Sequence, residues 1–232
     1  LESEIPKVKL EFIIKVFMGG IIMNSVGYFD SIADKWNVIR EEYFEDKLKY
    51  IALSQFDIKD KICADLGCGT GFISQALSID AKLVFSIDNS RNMLRQLHNE
   101  TLEKGIKNIY PIKGSISDLP LFDESIDAVF INMALHHVVD AEKAVREMYR
   151  VLKKDGVFVI CDVEEHNGEW ARTEMHDEWL GFSHSLIRGW AEKAGFSDVQ
   201  VKSTGLKCKG YSSKGECTEP GIFMARGIRK EK

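Results

Sequence analysis

The sequence predicts an α/β protein built on a doubly wound, mostly parallel sheet of seven strands. Three observations carry that prediction. From Lys61 onward, short β-branched or aromatic apolar runs alternate with longer segments of helical periodicity. Several of these runs are apolar almost throughout, as strands covered on both faces are. The first of them leads directly into a glycine-rich turn that opens a helix, the arrangement that open α/β sheets use to bring backbone close to a ligand.

In chain order, residues 31–53 read as one or two amphipathic helices bearing Ile32, Trp36, Ile39, Tyr43 and Leu48. Five strands are expected at residues 62–66, 83–88, 109–113, 126–132 and 157–163. Helices fill the gaps: 72–77 after the glycine turn, 90–104 from an N-cap at Ser90, and 141–152 with Ala144, Val145, Met148 and Leu152 at helical spacing. Another spans 183–194 and is closed by Gly195. Residues 199–201 and 222–225 read as a terminal strand pair across a hairpin-like connection at 205–221, which gives the sheet an antiparallel edge.

The chain has 232 residues, with 31 Lys+Arg against 36 Asp+Glu and a formal charge of -5. This balance argues against the nucleic-acid backbone as the main partner. Five scattered cysteines are too few for a disulfide scaffold and suit a reducing cytoplasm. Glu11, Lys15 and Gly19-Gly20 interrupt the longest apolar stretch, so no membrane span is expected there. The expected organisation is an N-terminal extension at 1–27, a helical lid at 28–60 and a ligand-binding core at 61–232. Residues 1–22, which precede Met23, are expected to be dispensable for ligand binding.

The deciding motif is Asp65-Leu66-Gly67-Cys68-Gly69-Thr70-Gly71. A second carboxylate, Asp88, ends the next strand 23 residues later, where it can accept hydrogen bonds from both hydroxyls of a ribose. A dinucleotide site uses GxGxxG to seat a pyrophosphate, whereas the spacing here is GxGxG. Asp65 suits a cationic amino group better than a phosphate. S-adenosylmethionine has that group and lacks phosphate. Ser117-Asp118 follows the third strand, where Asp118 can accept from an adenine amino group; the alternative is a turn cap before Pro120.

On these residues the sequence resembles the class I S-adenosylmethionine-dependent methyltransferases, from Phe29 to about Arg226. The matching segments are the glycine motif, Ile87-Asp88, Ser117-Asp118-Leu119-Pro120, Leu135-His136-His137-Val138 and Arg150-Val151-Leu152-Lys153-Lys154-Asp155-Gly156. The opening Tyr28-Phe29-Asp30 with Trp36, together with Leu135-His136-His137, is most similar to the small-molecule branch that includes quinone C-methyltransferases. The resemblance implies a Rossmann-like sheet with an N-terminal helical lid, S-adenosylmethionine as cofactor, and methyl transfer to a small-molecule acceptor. The implied cofactor contacts are Asp65, Gly67, Cys68, Gly69, Gly71, Asp88, Asn89, Ser117, Asp118, Asn132, Tyr28 and Trp36. A module that binds cofactor without turnover, and enzymes acting on RNA, protein or a metalloid, are the alternatives.

His136 and His137 follow the tip of the fourth strand, where ligands bind in open sheets, so one is a candidate to face the acceptor; both being structural is the alternative. Asp162, His166 and His176 match no compact ligand set, and no metal is expected. Cys63 and Cys161 fall in strands and read as small hydrophobes. Cys208 and Cys217 share a polar loop, where they are either incidental or a thiophilic pair suited to a soft acceptor such as trivalent arsenic.

Overall fold

The computed structural model describes residues 24–230, and the expectation for residues 1–22 lies outside them. The lid consists of three short helices, α1 (Ser25–Ile32), α2 (Trp36–Tyr43) and α3 (Lys47–Leu53). This corrects the expectation of one or two helices beginning at residue 31. Asn24 caps α1 by accepting a hydrogen bond from Gly27 N at 3.0 Å, so the first helix starts ahead of Tyr28, where the lid was expected to begin.

The core then alternates: β1 (Ile62–Leu66), α4 (Phe72–Leu77), β2 (Leu83–Asp88), α5 (Arg91–Glu103), β3 (Ile109–Lys113) and β4 (Ile126–Asn132). A 3-10 turn at Leu135–His137 leads to α6 (Ala141–Val151) and β5 (Leu152–Val163). The chain continues through α7 (Trp170–Glu174), α8 (His184–Ala194), β6 (Ser197–Lys207), a small ribbon of β7 (Gly210–Tyr211) and β8 (Cys217–Thr218), and β9 (Gly221–Ile228). The expected cap at Ser90 forms, its hydroxyl accepting from Met93 N–H at the start of α5, and Asp140 and Ser183 cap α6 and α8 in the same way.

The seven-stranded sheet has the order β3-β2-β1-β4-β5-β9-β6. Strands β1 to β5 pair in parallel, whereas β9 runs antiparallel to both β5 and β6. Strand β6 extends well beyond the expected Val199 to Val201, because an edge strand needs only one covered face; Val199 and Val201 are buried while alternate residues are exposed. Cys63 and Cys161 are fully buried, as expected of strand hydrophobes. Apolar layers cover the sheet on both faces: α6 and α8 contribute Val145, Met148 and Ile187 to one, and α3, α4 and α5 contribute Leu48, Leu77 and Leu97 to the other.

This topology places the ligand crevice. From β1 the chain winds to one side of the sheet, through β2 and β3, and from β4 it winds to the other. The loops leaving the carboxyl ends of adjacent β1 and β4 therefore part, and a crevice opens between them. Gly71 adopts φ +95° at the start of α4, and a Cβ there would collide with the Leu97 side chain. Gly71→Ala is expected to destabilise the protein by about 1–3 kcal/mol, read as a lower urea midpoint with an unchanged slope; an unchanged midpoint would contradict this packing.

Candidate functional site

The parted loops enclose a cavity of about 390 Å³. Its wall comes from the lid (Phe29, Trp36, Arg40), the glycine turn (Asp65, Gly67, Cys68, Gly69), the end of β2 (Asp88, Asn89, Ser90), the loop after β3 (Ser115, Ile116, Ser117) and the exit of β4 (Asn132, Met133, His137).

Asp65 ends up beneath the turn, 2% exposed, where Oδ2 accepts from the Ser74 hydroxyl at 2.6 Å; that hydroxyl lies 2.7 Å from Ser86 Oγ. Burial pushes its carboxyl up to about 7, and the nearby Asp88 charge adds to the shift. Asp88 is held by two backbone donors: Gly69 N–H reaches Oδ2 and Ser90 N–H reaches Oδ1, both at 2.8 Å. Burial raises this carboxyl as well. Gly67 carries φ +68°, and a Cβ on it would run into Ala134 on the β4 exit; Gly69 carries φ +52° and lies against Trp36 Nε1.

Not every expected contact lies on this wall. Asp118 is exposed and absent from it, because a tight turn ties its N–H to Ser115 O and leaves Ser115 to Ser117 facing the cavity. The structure therefore does not bring Asp118 to the wall on which the adenine contact was expected. Gly71 is a packing glycine against α5 rather than a wall residue. Tyr28 is buried beside Ile32, Ala33 and Met93, with its hydroxyl directed at Met175 Sδ at 3.7 Å. The lid instead docks through Asp30, whose Oδ1 accepts from the Ser90 hydroxyl at 2.5 Å and from Asn92 N–H at 3.0 Å. Cys208 lines a second cavity, whereas Cys217 is exposed on β8, so the expected thiol pair does not share that cavity.

The two histidines have different surroundings. His136 Nδ1–H donates to Asp162 Oδ1 at 2.6 Å, while Asp162 Oδ2 accepts from Leu135 N–H and Ala134 N–H at 2.8 and 3.2 Å. Asp162 on β5 thus caps the 3-10 turn and orients His136. Burial alone would lower the His136 imidazole, but the Asp162 and Asp177 charges overcome it and raise it to about 9. His137 lines both cavities, and burial, reinforced by the neighbouring His136, holds it well below the ordinary range.

Sequence reasoning missed Arg40 and Asp177. Arg40 is buried, lies with its guanidinium carbon 4.2 Å from the centre of the Phe72 ring, and lines the larger cavity. A zwitterionic ligand needs such a cation for its carboxylate, which was the one available signal for it. Asp177 follows α7 at a positive-φ residue, His176, about 40 residues from the histidines it meets, and no spacing rule reaches that far.

A family model described as a methyltransferase domain matches residues 64–160. The chain is 30% identical over 174 residues to a demethylmenaquinone methyltransferase of Thermobifida fusca, covering 73% of this chain and 71% of the relative. It is 28% identical over 200 residues to a chloroplastic 2-methyl-6-phytyl-1,4-hydroquinone methyltransferase of Spinacia oleracea, covering 82% and 57%. Among solved structures, a phosphoethanolamine N-methyltransferase of Haemonchus contortus, in complex with phosphomonomethylethanolamine and S-adenosylhomocysteine, aligns with a TM-score of 0.73 at 13% identity over 90% of this chain and 61% of that one. The chain belongs to the S-adenosylmethionine-dependent methyltransferases. It spans 39% to 57% of the length of the first curated relatives it matches.

The Asp65 environment makes a testable statement. A carboxyl raised to about 7 in the folded state, against about 3.9 unfolded, favours folding while protonated, so its contribution is lost as pH rises from about 4 to about 7. Asp65→Asn should remove that part of the pH dependence, so that the variant gains on wild type between pH 5 and pH 8 in urea melts. Parallel profiles would contradict the assignment.

Proposed function

We propose that this protein binds S-adenosylmethionine in the larger cavity and transfers its methyl group to a small-molecule acceptor. The observation that carries this reading is the placement of Asp88, Asp65 and Asn132 on one wall, at the carboxyl ends of β2, β1 and β4. Asn132 Oδ1 is buried there without a hydrogen-bond partner, so the wall offers an acceptor with nothing yet donating to it.

The residues divide the work by charge. Asp88, fixed by two backbone N–H groups, presents its remaining lone pairs to the ribose hydroxyls. Asp65 and Asn132 Oδ1 suit the amino group, and Arg40 suits the carboxylate. Asn89, Met93 and Ser117 are left for the adenine, in place of Asp118. When bound, the cofactor supplies an electrophilic methyl on a positively charged sulfur. Phe29, Trp36 and Phe44 close the lid side and exclude water.

The acceptor is assigned to the second cavity, about 70 Å³, which shares Trp36, Phe44, Met133 and His137 with the first. Its other walls include Tyr43, Trp170 and Met175, an apolar and aromatic surface suited to a ring. The hydroquinone and demethylmenaquinone methyltransferases among the relatives support a quinone-type ring, hydroxylated in its reduced form, as acceptor. His137 stands where acceptor and methyl meet, with His136 behind it held by Asp162. Five free thiols support a reducing, cytoplasm-like compartment. No helix among the described residues is long and apolar enough to cross a membrane.

Two experiments test this reading. Calorimetry with S-adenosylhomocysteine should show Asp88→Ala binding at least about tenfold more weakly than wild type, since each charge-assisted hydrogen bond contributes about 1.5–3 kcal/mol. Equal affinities would overturn the ribose assignment. His137→Ala should keep cofactor affinity while turnover of a methylated acceptor falls by roughly 10²- to 10⁴-fold; unchanged turnover would remove His137 from the reaction.

A further inference from the structure

Where the two cavities meet, three side chains converge in a way that the cofactor contacts do not explain. One ligand-capable atom from each of His136, His137 and Asp177 lies within 4.8 Å of the others, the one such group among the described residues. Asp177 Oδ1 stands 3.4 Å from His137 Nδ1 and 3.9 Å from His136 Nε2. These separations are long for hydrogen bonds. They are close to the edges of a tetrahedron of ligands about a metal, where bonds of about 2.0–2.1 Å place neighbouring donor atoms ~3.4 Å apart.

Two further observations point the same way. The Asp177 side chain is only 9% exposed, and its Oδ1 has no hydrogen-bond partner, a costly condition for a buried carboxylate oxygen unless something binds it. Second, His136 gives its Nδ1–H to Asp162, which leaves Nε2 facing Asp177. A carboxylate behind a histidine, fixing its tautomer and ring orientation, is the usual outer support of a metal-ligating imidazole. His137 Nδ1 lies 3.3 Å from the His176 carbonyl oxygen, a weak contact that a metal at Nδ1 would replace.

We propose that His136 Nε2, His137 Nδ1 and Asp177 Oδ1 form a three-ligand site for a divalent transition metal of the zinc type. Two imidazoles and one carboxylate select such ions over magnesium or calcium, which prefer oxygen ligands throughout. Three protein ligands leave a coordination position open, as in zinc sites that bind substrate. His137 lines both cavities, so that open position adjoins the place assigned to the acceptor. An acceptor hydroxyl bound there would lose its proton to solvent more readily, and the resulting oxyanion would supply the electrons that form the new bond to the methyl carbon as the S–CH3 bond breaks, leaving the sulfur as a neutral thioether. This use of the metal rests on the methyl-transfer reading; metal binding itself does not.

The full chain, stripped with a chelator, is titrated with Zn²⁺ by calorimetry in the absence of cofactor and acceptor, and separately loaded with Co²⁺ for absorption spectroscopy. One equivalent of zinc should bind, and Asp177→Asn and His137→Gln should each weaken it at least about tenfold. The Cys217→Ser variant, altered outside the second cavity, should bind as wild type does, and the cobalt form should lack thiolate charge-transfer bands. Wild type that binds no zinc, zinc affinity unchanged in Asp177→Asn, or loss of zinc in the cysteine variant would each overturn the site. If the ligand variants fail to fold, the wild-type stoichiometry, the cysteine variant and the cobalt spectrum decide. S-adenosylhomocysteine titrations on the same samples separate the two readings: cofactor without zinc refutes this site alone, and zinc without cofactor refutes the methyl-transfer reading alone.

Discussion

Neighbouring strands β1 and β4 send the chain away in opposite directions, and the crevice this leaves at their carboxyl ends is the constraint on which the rest of the molecule depends. The glycine turn must pass close to the β4 exit, so Gly67 has no room for a side chain beside Ala134. Met133 takes a positive φ of 52° in turning out of β4, and its N–H is tied to Cys161 O on β5 at 2.8 Å. Asp162, the next residue on β5, then caps the turn that carries both histidines. The walls of both cavities are therefore built in part by the same strand ends.

Charge sets what the crevice can bind. Asp65 is buried and Asp88 half-buried, and desolvation raises both carboxyls, with the Asp88 charge adding to the shift at Asp65. A pyrophosphate would add negative charge to a wall that already has too much, whereas an ammonium and a sulfonium relieve it. Arg40 supplies the one guanidinium of the cavity wall among the described residues, on the lid rather than the sheet. The lid is itself pinned to the rim of the cavity through Asp30 and Ser90, and Ser90 N–H also holds Asp88, so lid docking and the proposed ribose contact share one short segment.

The sheet was legible in the sequence because parallel strands covered on both faces are apolar throughout, and the wall of the larger cavity was legible because glycines and carboxylates stand at its strand ends. The lid was less so: the breaks around Asp34 and Glu45 contain no glycine or proline, and three short helices read as one or two. Strand β6 was underestimated because only Val199 and Val201 mark its covered face. Asp118 and Gly71 lie off the cavity wall for a common reason, since a motif gives residue order but not which residues of a turn face inward. Arg40 was hidden as an ordinary charge on an amphipathic helix, and Asp177 by its distance along the chain.

The identity of the ligand in the larger cavity is tested most directly by a crystal structure with S-adenosylhomocysteine. The ribose oxygens should lie within hydrogen-bonding distance of the Asp88 carboxylate, with the amino group beside Asp65 and Asn132 Oδ1. Ligand density elsewhere on the molecule, or a ribose that leaves Asp88 unengaged, would contradict it.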